Sequence, residues 1–344
     1  MVKFLVLLYL LSYISTQTLA GTMIIDTPIV DEKAINIRAL HIVTRAVTPE
    51  KVKKIIDQAN RESFNTIILG IAWGESTKLN SMPWVDARFS WSREELLSVV
   101  AYARSRGMNV IPNIPLLSHQ KVFLKKPFPK LMYNGRTYDP RNPMVYDLVF
   151  PILDEVIELI HPKAIHIGHD EVVGWKAKHY EKGLLNPGEK ILPANLFLAD
   201  TMKLYNYLKS KGVETWMWGD MLISPEEFPT MQGGGLHGSE VGYGAALRSQ
   251  IPKDIVIVDW HYHDRQKDFP SLLAFKKEGF HVLGSTWKKE RTILNFSNYA
   301  ARNGADGMVS TIWAHLMNDD EEVVDRIIRK SGEVFLEDFP DVKE

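Results

Sequence analysis

Residues 92 to 114 read SREELLSVVAYARSRGMNVIPNI, which is one complete helix-then-strand unit. Ser92 with Glu95 makes a capping box, an amphipathic helix continues to Arg106, and Gly107 stands where a helix ends. Asn109 to Ile114 then gives a short apolar, β-rich run. The same alternation recurs along the chain. Seven further runs read as strands: Ile35 to His41, Thr66 to Ile71, Ala164 to Gly168, Glu214 to Trp218, Ile255 to Trp260, His281 to Ser285, and Met308 to Trp313. Helices fit between them. Thr48 caps Pro49 to Asn60, Asn142-Pro143 opens a helix to about Ile160, Pro193 opens one ending at Lys211-Gly212, and Asp319 begins a last one. Strands alternating with helices imply a parallel sheet covered by helices. With eight strands and no Gly/Ser-rich linker, the expected α/β fold is a single-domain (β/α)8 TIM barrel, the alternative being an open doubly wound sheet.

The start of the chain reads differently. Met1-Val2-Lys3, the apolar stretch Phe4 to Leu11 and Thr18-Leu19-Ala20 before Gly21 form the three parts of a signal peptide. The expectation is a leader over residues 1–20, a catalytic domain over 21–344, and an exported product without a membrane anchor. Cysteine is absent, which excludes disulfides and thiolate metal sites. Lys plus Arg number 41 against 42 Asp plus Glu, so a nucleic-acid binder's basic footprint is missing. Nine tryptophans supply flat apolar faces for sugars or for a core.

In a barrel, chemistry gathers at the C-terminal ends of the strands. Those ends read Arg38 to Arg45, Trp73-Gly74-Glu75, Pro115 to His119, His169-Asp170-Glu171, Trp216 to Asp220, Trp260 to His263, Thr286-Trp287 and Trp313-Ala314-His315. Aromatic faces beside charged groups suit an oligosaccharide. The sharpest element is Asp170-Glu171. Adjacent carboxylates repel, and in a poorly solvated site one can stay protonated as a general acid while the other remains an anion. Side chains alternate along a strand, so the two face one substrate only if the backbone leaves regular geometry there.

Tyr138-Asp139-Pro140-Arg141-Asn142-Pro143, a helix, and then His166-Ile167-Gly168-His169-Asp170-Glu171 resembles the corresponding stretch of glycoside hydrolase family 20, the β-N-acetylhexosaminidases. Phe89 to His119 is similar to that family's third βα unit. Arg38 resembles its first-strand arginine, and Trp216-Met217-Trp218-Gly219-Asp220 its fifth-strand segment. The single-domain build is closest to the hexosaminidase D branch. There are departures: the family commonly has a second glycine where His169 stands, its Trp-x-Glu after the last strand is here Trp313-Ala314-His315, and its small N-terminal accessory domain is not seen.

The resemblance implies exo-acting, retaining hydrolysis of terminal N-acetylhexosamine with no protein nucleophile, an exception to the two-carboxylate scheme. Glu171 protonates the glycosidic oxygen while the sugar's 2-acetamido oxygen attacks the anomeric carbon. Asp170 holds the acetamido N–H as an oxazolinium forms, and Glu171 then activates water. Arg38 is assigned to sugar hydroxyls, His119 to a hydroxyl or to orienting Asp170, and Tyr262 to the acetamido oxygen. Trp216, Trp218, Trp260, Trp287 and Trp313 are placed along the sugar pocket, with His169 as a pocket residue or a spacer. No cofactor is expected. No metal is expected either, since His261/His263 and His166/His169 lack a zinc spacing with a third ligand. The competing readings are a non-catalytic glycan-binding barrel, and a glycosidase for unacetylated sugars with Glu75 or Asp220 as nucleophile.

Overall fold

The computed structural model describes residues 35–71, 77–85, 90–172, 188, 192–231, 235–238, 243–316, 318 and 320–336. The leader-like residues 1–20, Trp73-Gly74-Glu75 and Asp319 lie outside them. Eight parallel strands close in sequence order, β1 pairing both β2 and β8. They are β1 Ile37–Val43, β2 Thr66–Gly70, β3 Asn109–Leu116, β4 Ala164–Gly168, β5 Glu214–Trp218, β6 Val256–Trp260, β7 His281–Thr286 and β8 Gly307–Thr311. The expected (β/α)8 barrel is therefore the fold. Trp313, read from sequence as the end of the last strand, falls instead in a 3-10 turn, Trp313–His315.

The helices are α1 Pro49–Arg61, α2 Arg93–Ser105, α3 Pro143–Ile160, α4 Ala194–Ser210, the short α5 Ala245–Arg248, α6 Pro270–Lys277, α7 Glu290–Arg302 and α8 Glu321–Leu336. Local chemistry sets their starts. Thr48 accepts from Lys51 N, Asn142 accepts from Met144 N, and both halves of the Ser92/Glu95 capping box form. Each such cap contributes about 1 kcal/mol. Two apolar layers result. Leu40, Ile42, Ile165, Ile167, Met217 and Ile257 point outward into the helix layer, whereas Ala39, Ile68, Ile111, Ala164, Trp216, Trp218, Val258 and Trp260 fill the lumen. Closure needs Gly307, because a Cβ there would sit 2.3 Å from the Ile37 carbonyl oxygen.

The strand period of two carries a first correction. Ala39 and His41 point inward, so Arg38 points outward, at the N-terminal end of β1. Its guanidinium donates from Nε to Ser63 O (2.6 Å) and from Nη1 to Ile35 O (2.8 Å). Arg38 thus pins the bottom of the barrel and does not reach the catalytic face. Trp216 is the second correction. It points into the lumen, but two residues below Trp218, and borders a cavity of about 490 Å³ at the N-terminal end with Ile37, Gly212 and Leu283.

Candidate active site

The end of β4 leaves regular geometry. Gly168, His169 and Glu171 all have positive φ (81°, 69° and 51°), and the β3–β4 register slips between Asn113 and Leu116. Gly168 has two reasons to be glycine: its φ, and Pro115 Cα only 3.0 Å from where a Cβ would lie. This twist breaks the alternation that would send Asp170 and Glu171 to opposite faces. Both converge on one group, since His119 Nε2 is 2.9 Å from Asp170 Oδ2 and 3.7 Å from Glu171 Oε2.

Asp170 is buried, which works to raise its carboxyl. His119, by charge and hydrogen bond, and Arg136 outweigh burial and hold it well below the usual carboxylate range. Ser118 Oγ donates to the Asp170 carbonyl and fixes the backbone. Glu171 is one-third exposed. Arg136 donates from Nη2 to Glu171 Oε2 at 2.5 Å and from Nε to Glu171 O at 3.0 Å. Arg136 occupies Oε2, so a proton passed to a ligand leaves from Oε1, or from Oε2 once Arg136 moves. The donor atoms of His119, Asp170 and Glu171 lie within 4.8 Å of one another, close enough to ligate a metal. Arg136 Nη2, however, stands 2.9 Å from His119 Nε2 and 2.5 Å from Glu171 Oε2, so a guanidinium takes the place a cation would need.

Asp220, considered as a nucleophile on sequence grounds, is fully buried beneath the pair. It accepts from Glu171 N (2.8 Å), His237 Nδ1 (2.7 Å) and Trp260 Nε1 (3.1 Å). Burial raises its carboxyl against the pull of His237. With both oxygens engaged, Asp220 positions the Glu171 backbone. The floor is a chain of buried polar rings. His41 Nε2 donates to Asn113 Oδ1 (3.2 Å), Asn113 Nδ2 donates to His166 Nδ1 (3.1 Å), and His166 lies on Trp218 at 4.6 Å. Burial pulls His41 down to about 4 and His166 to about 3, so both are neutral near pH 7.

One wall is aromatic. Tyr262 stacks on Trp260 at 4.7 Å and meets Trp287 (5.9 Å) and Trp313 (6.2 Å) edge-on, while Trp313 also packs on His41. Tyr262 lies near Ser285, Thr311 and Asp170, and burial raises its phenol. Trp287 Nε1 is buried without a hydrogen-bond partner among the described residues, a donor still available to a ligand, while the Tyr262 hydroxyl lies beside the Ser285, Thr311 and Trp313 side chains.

His169 is the third correction. Its side chain is fully buried and turned away from the cleft, with Nε2 3.0 Å from Asp200 Oδ2. Asp200, on α4, also accepts from Tyr138 (3.0 Å) and Tyr146 (2.6 Å). Burial, reinforced by the Asp200 charge, pushes both phenols up, so they remain donors. His169 and Asp200 thus brace the catalytic turn from behind.

Residues 47–328 match the model of the glycosyl hydrolase family 20 catalytic domain. The chain belongs to that family. Beta-hexosaminidase A of Caenorhabditis elegans is 31% identical over 133 residues, which is 36% of this chain and 24% of the relative. The chain therefore spans about a quarter of that relative's length. Among solved structures, the family 20 chitobiase of Flavobacterium johnsoniae superposes with a TM-score of 0.65 at 17% identity, covering 88% of this chain and 48% of the other. Dispersin B gives 0.59 at 18% identity, covering 88% and 98%. At these identities the superpositions establish the fold. Relative to the family-20 pattern quoted above, His169 occupies the second glycine's place, with a φ of 69°.

Arg136, Asp200, His237 and the His41–Asn113–His166 chain were not foreseen from sequence. Asn134-Gly135 signals the turn that presents Arg136, since Asn134 Oδ1 accepts from Arg136 N and Thr137 N, but nothing local marks the guanidinium as a partner of Glu171.

Proposed function

We propose that the chain is an exo-β-N-acetylhexosaminidase that removes terminal N-acetylhexosamine from oligosaccharides by retaining, substrate-assisted catalysis. One observation carries this reading: Asp170 and Glu171 are adjacent and converge on His119, while Asp220, the alternative nucleophile among the described residues, is buried under the Glu171 backbone. A conventional retaining pair faces itself across the bond at about 5 Å. Two neighbours fit instead a substrate that supplies its own nucleophile. Asp170, already an anion, takes the acetamido N–H and balances the oxazolinium charge. Glu171 protonates the leaving oxygen, from Oε1 or from Oε2 once Arg136 moves, then draws the proton from water. Trp287 Nε1, an available donor, and the Tyr262 hydroxyl on the same wall suit the acetamido oxygen and a neighbouring hydroxyl. Export is proposed on the leader pattern of residues 1–20.

The test is release of 4-nitrophenol from β-glycosides of GlcNAc, GalNAc and glucose. Only the acetamido sugars should react. Glu171→Gln should lose roughly 10²- to 10⁴-fold on a natural disaccharide, the scale of a general acid. Comparable turnover of the plain glucoside would overturn the substrate-assisted scheme, and unchanged turnover by Glu171→Gln would remove that residue from the mechanism.

A further inference from the structure

Beyond the aromatic wall lies a second cavity of about 410 Å³, lined by His263, Arg265, Lys288, Lys289, Glu290, Arg291, Thr292 and Arg326. The charge is lopsided: five full cations face one carboxylate in a chain whose formal net charge is only −1. The single acid, Glu290, is already spoken for, with Arg326 Nε 3.7 Å from its Oε1. Among the described residues, Arg265, Lys288, Lys289 and Arg291 have no carboxylate partner. Their repulsion is felt locally. Burial, then Lys289, lower His263 from its ordinary value, against a smaller pull from Asp264, and Lys288 adds the least. The sequence Lys288-Lys289-Glu290-Arg291 also sets cations around the start of α7, the end of a helix that favours anions, and no side chain caps that start. Crowded cations of this kind are unfavourable until an anion arrives.

The cavity adjoins the candidate site. Lys288 Nζ lies 4.2 Å from the Trp287 ring centroid, and the His263 ring lies 5.8 Å from Trp287 on the same rim. Trp287 in turn meets Tyr262. One indole thus separates the cationic cavity from the wall assigned to the acetamido sugar, so a group held there belongs to the same glycan.

We propose that this cavity is an anion subsite of the catalytic cleft, taking a sulfate or carboxylate group carried by the glycan and making acidic oligosaccharides the preferred substrates. The proposal rests on the hexosaminidase reading and specifies its substrate class. The anion has two possible sources, the terminal N-acetylhexosamine itself or the sugar next to it.

Three substrates separate them: 4-nitrophenyl β-GlcNAc, its 6-sulfate, and a disaccharide of GlcNAc β-linked to glucuronic acid, with the matching glucose disaccharide as neutral control. kcat/KM is measured at low and at physiological salt on the parent and on Arg265→Gln/Lys289→Gln/Arg291→Gln. Lys288 stays because it lies on Trp287. One acidic substrate should exceed its neutral counterpart about tenfold at low salt, a few-fold for each solvent-facing ion pair. The advantage should shrink as salt screens it. The triple variant should lose the advantage and keep neutral turnover within about twofold of the parent. A gain with the 6-sulfate assigns the anion to the terminal sugar, and a gain with the glucuronide assigns it to the next one. No gain with either, or equal losses on acidic and neutral substrates in the variant, overturns the subsite. If no substrate turns over, the hexosaminidase reading fails by itself. Calorimetric titration with GlcNAc and GlcNAc 6-sulfate then decides the subsite: tighter binding of the sulfate by the parent alone supports it, and equal binding rejects it.

Discussion

Asp200→Asn isolates the brace behind the catalytic turn. The parent carboxylate, fully buried, accepts hydrogen bonds from Tyr138 and Tyr146 and lies 3.0 Å from His169 Nε2. Hydrogen bonds to a charged group contribute about 1.5–3 kcal/mol each, against about 1 for a neutral pair. Asparagine keeps the shape but loses the charge, and it turns an amide N–H₂ toward groups that also donate. The expected loss is therefore about 3 kcal/mol. With about 2.1 cal/mol/K of unfolding entropy per residue, the roughly 270 described residues convert this into a fall in Tm of about 5 °C. His169 directly precedes Asp170, so kcat should fall about tenfold with little change in KM, since misplacing reacting groups affects the chemical step. His169→Gly should cost less, because glycine accepts the 69° φ without strain while two donors stay on Asp200. The double variant should be less damaged than the two single losses combined, by about 1–2 kcal/mol. Thermal unfolding of all four proteins, with kcat and KM for each, gives the cycle. Strict additivity, or an Asp200→Asn protein as stable and active as the parent, would refute the brace.

Arg38→Ala should lower Tm by about 4 °C through loss of its two carbonyl contacts, with KM within about twofold of the parent; a tenfold rise in KM would return Arg38 to the sugar site. Asp170→Asn should weaken binding of a thiazoline mimic of the oxazolinium by about 100-fold and GlcNAc far less, because the anion serves the cyclised species. Equal losses in calorimetry would sink that role. His261 is buried between Asp259 and Asp264. Burial lowers it, yet the two carboxylates prevail and raise it to about 9. Its folded value lies above the unfolded one of about 6.5, so this stabilisation is complete below about pH 6.5 and disappears as pH rises through about 9. The unfolding free energy from urea titrations should therefore decline over that interval by an amount on the order of 3 kcal/mol, and His261→Gln should flatten the decline.

The fold was legible because its signals are local: eight short apolar runs, with helix signals such as the Ser92 capping box and the Gly107 stop between several of them. The departure from regular geometry at Asp170-Glu171 was expected from the alternation rule, and the turn after β4 shows it. Height along the barrel was not. Trp216 and Trp218 obey the same alternation and enter the same lumen, but two residues of strand, about 6.6 Å, separate the barrel bottom from the site floor. Arg38 failed on parity, which becomes readable only once Ala39 and His41 are known to face inward. Contacts across the chain leave no local trace, as with Arg136 and Glu171, or with His169 and Asp200 thirty-one positions on.

Closure of the sheet through β1 and β8 also dictates a timetable. Ile37 and its partner Gly307 stand about 270 residues apart, and long-range pairing of that kind is slow to form. At a synthesis rate of about 5–20 residues per second, β1 waits tens of seconds for its last neighbour. Until then both open edges of the growing sheet, β1 and the newest strand, invite pairing with other chains. Ribosome-stalled chains ending before Gly307 should be cut rapidly by protease, and chains extended past α8 should resist it.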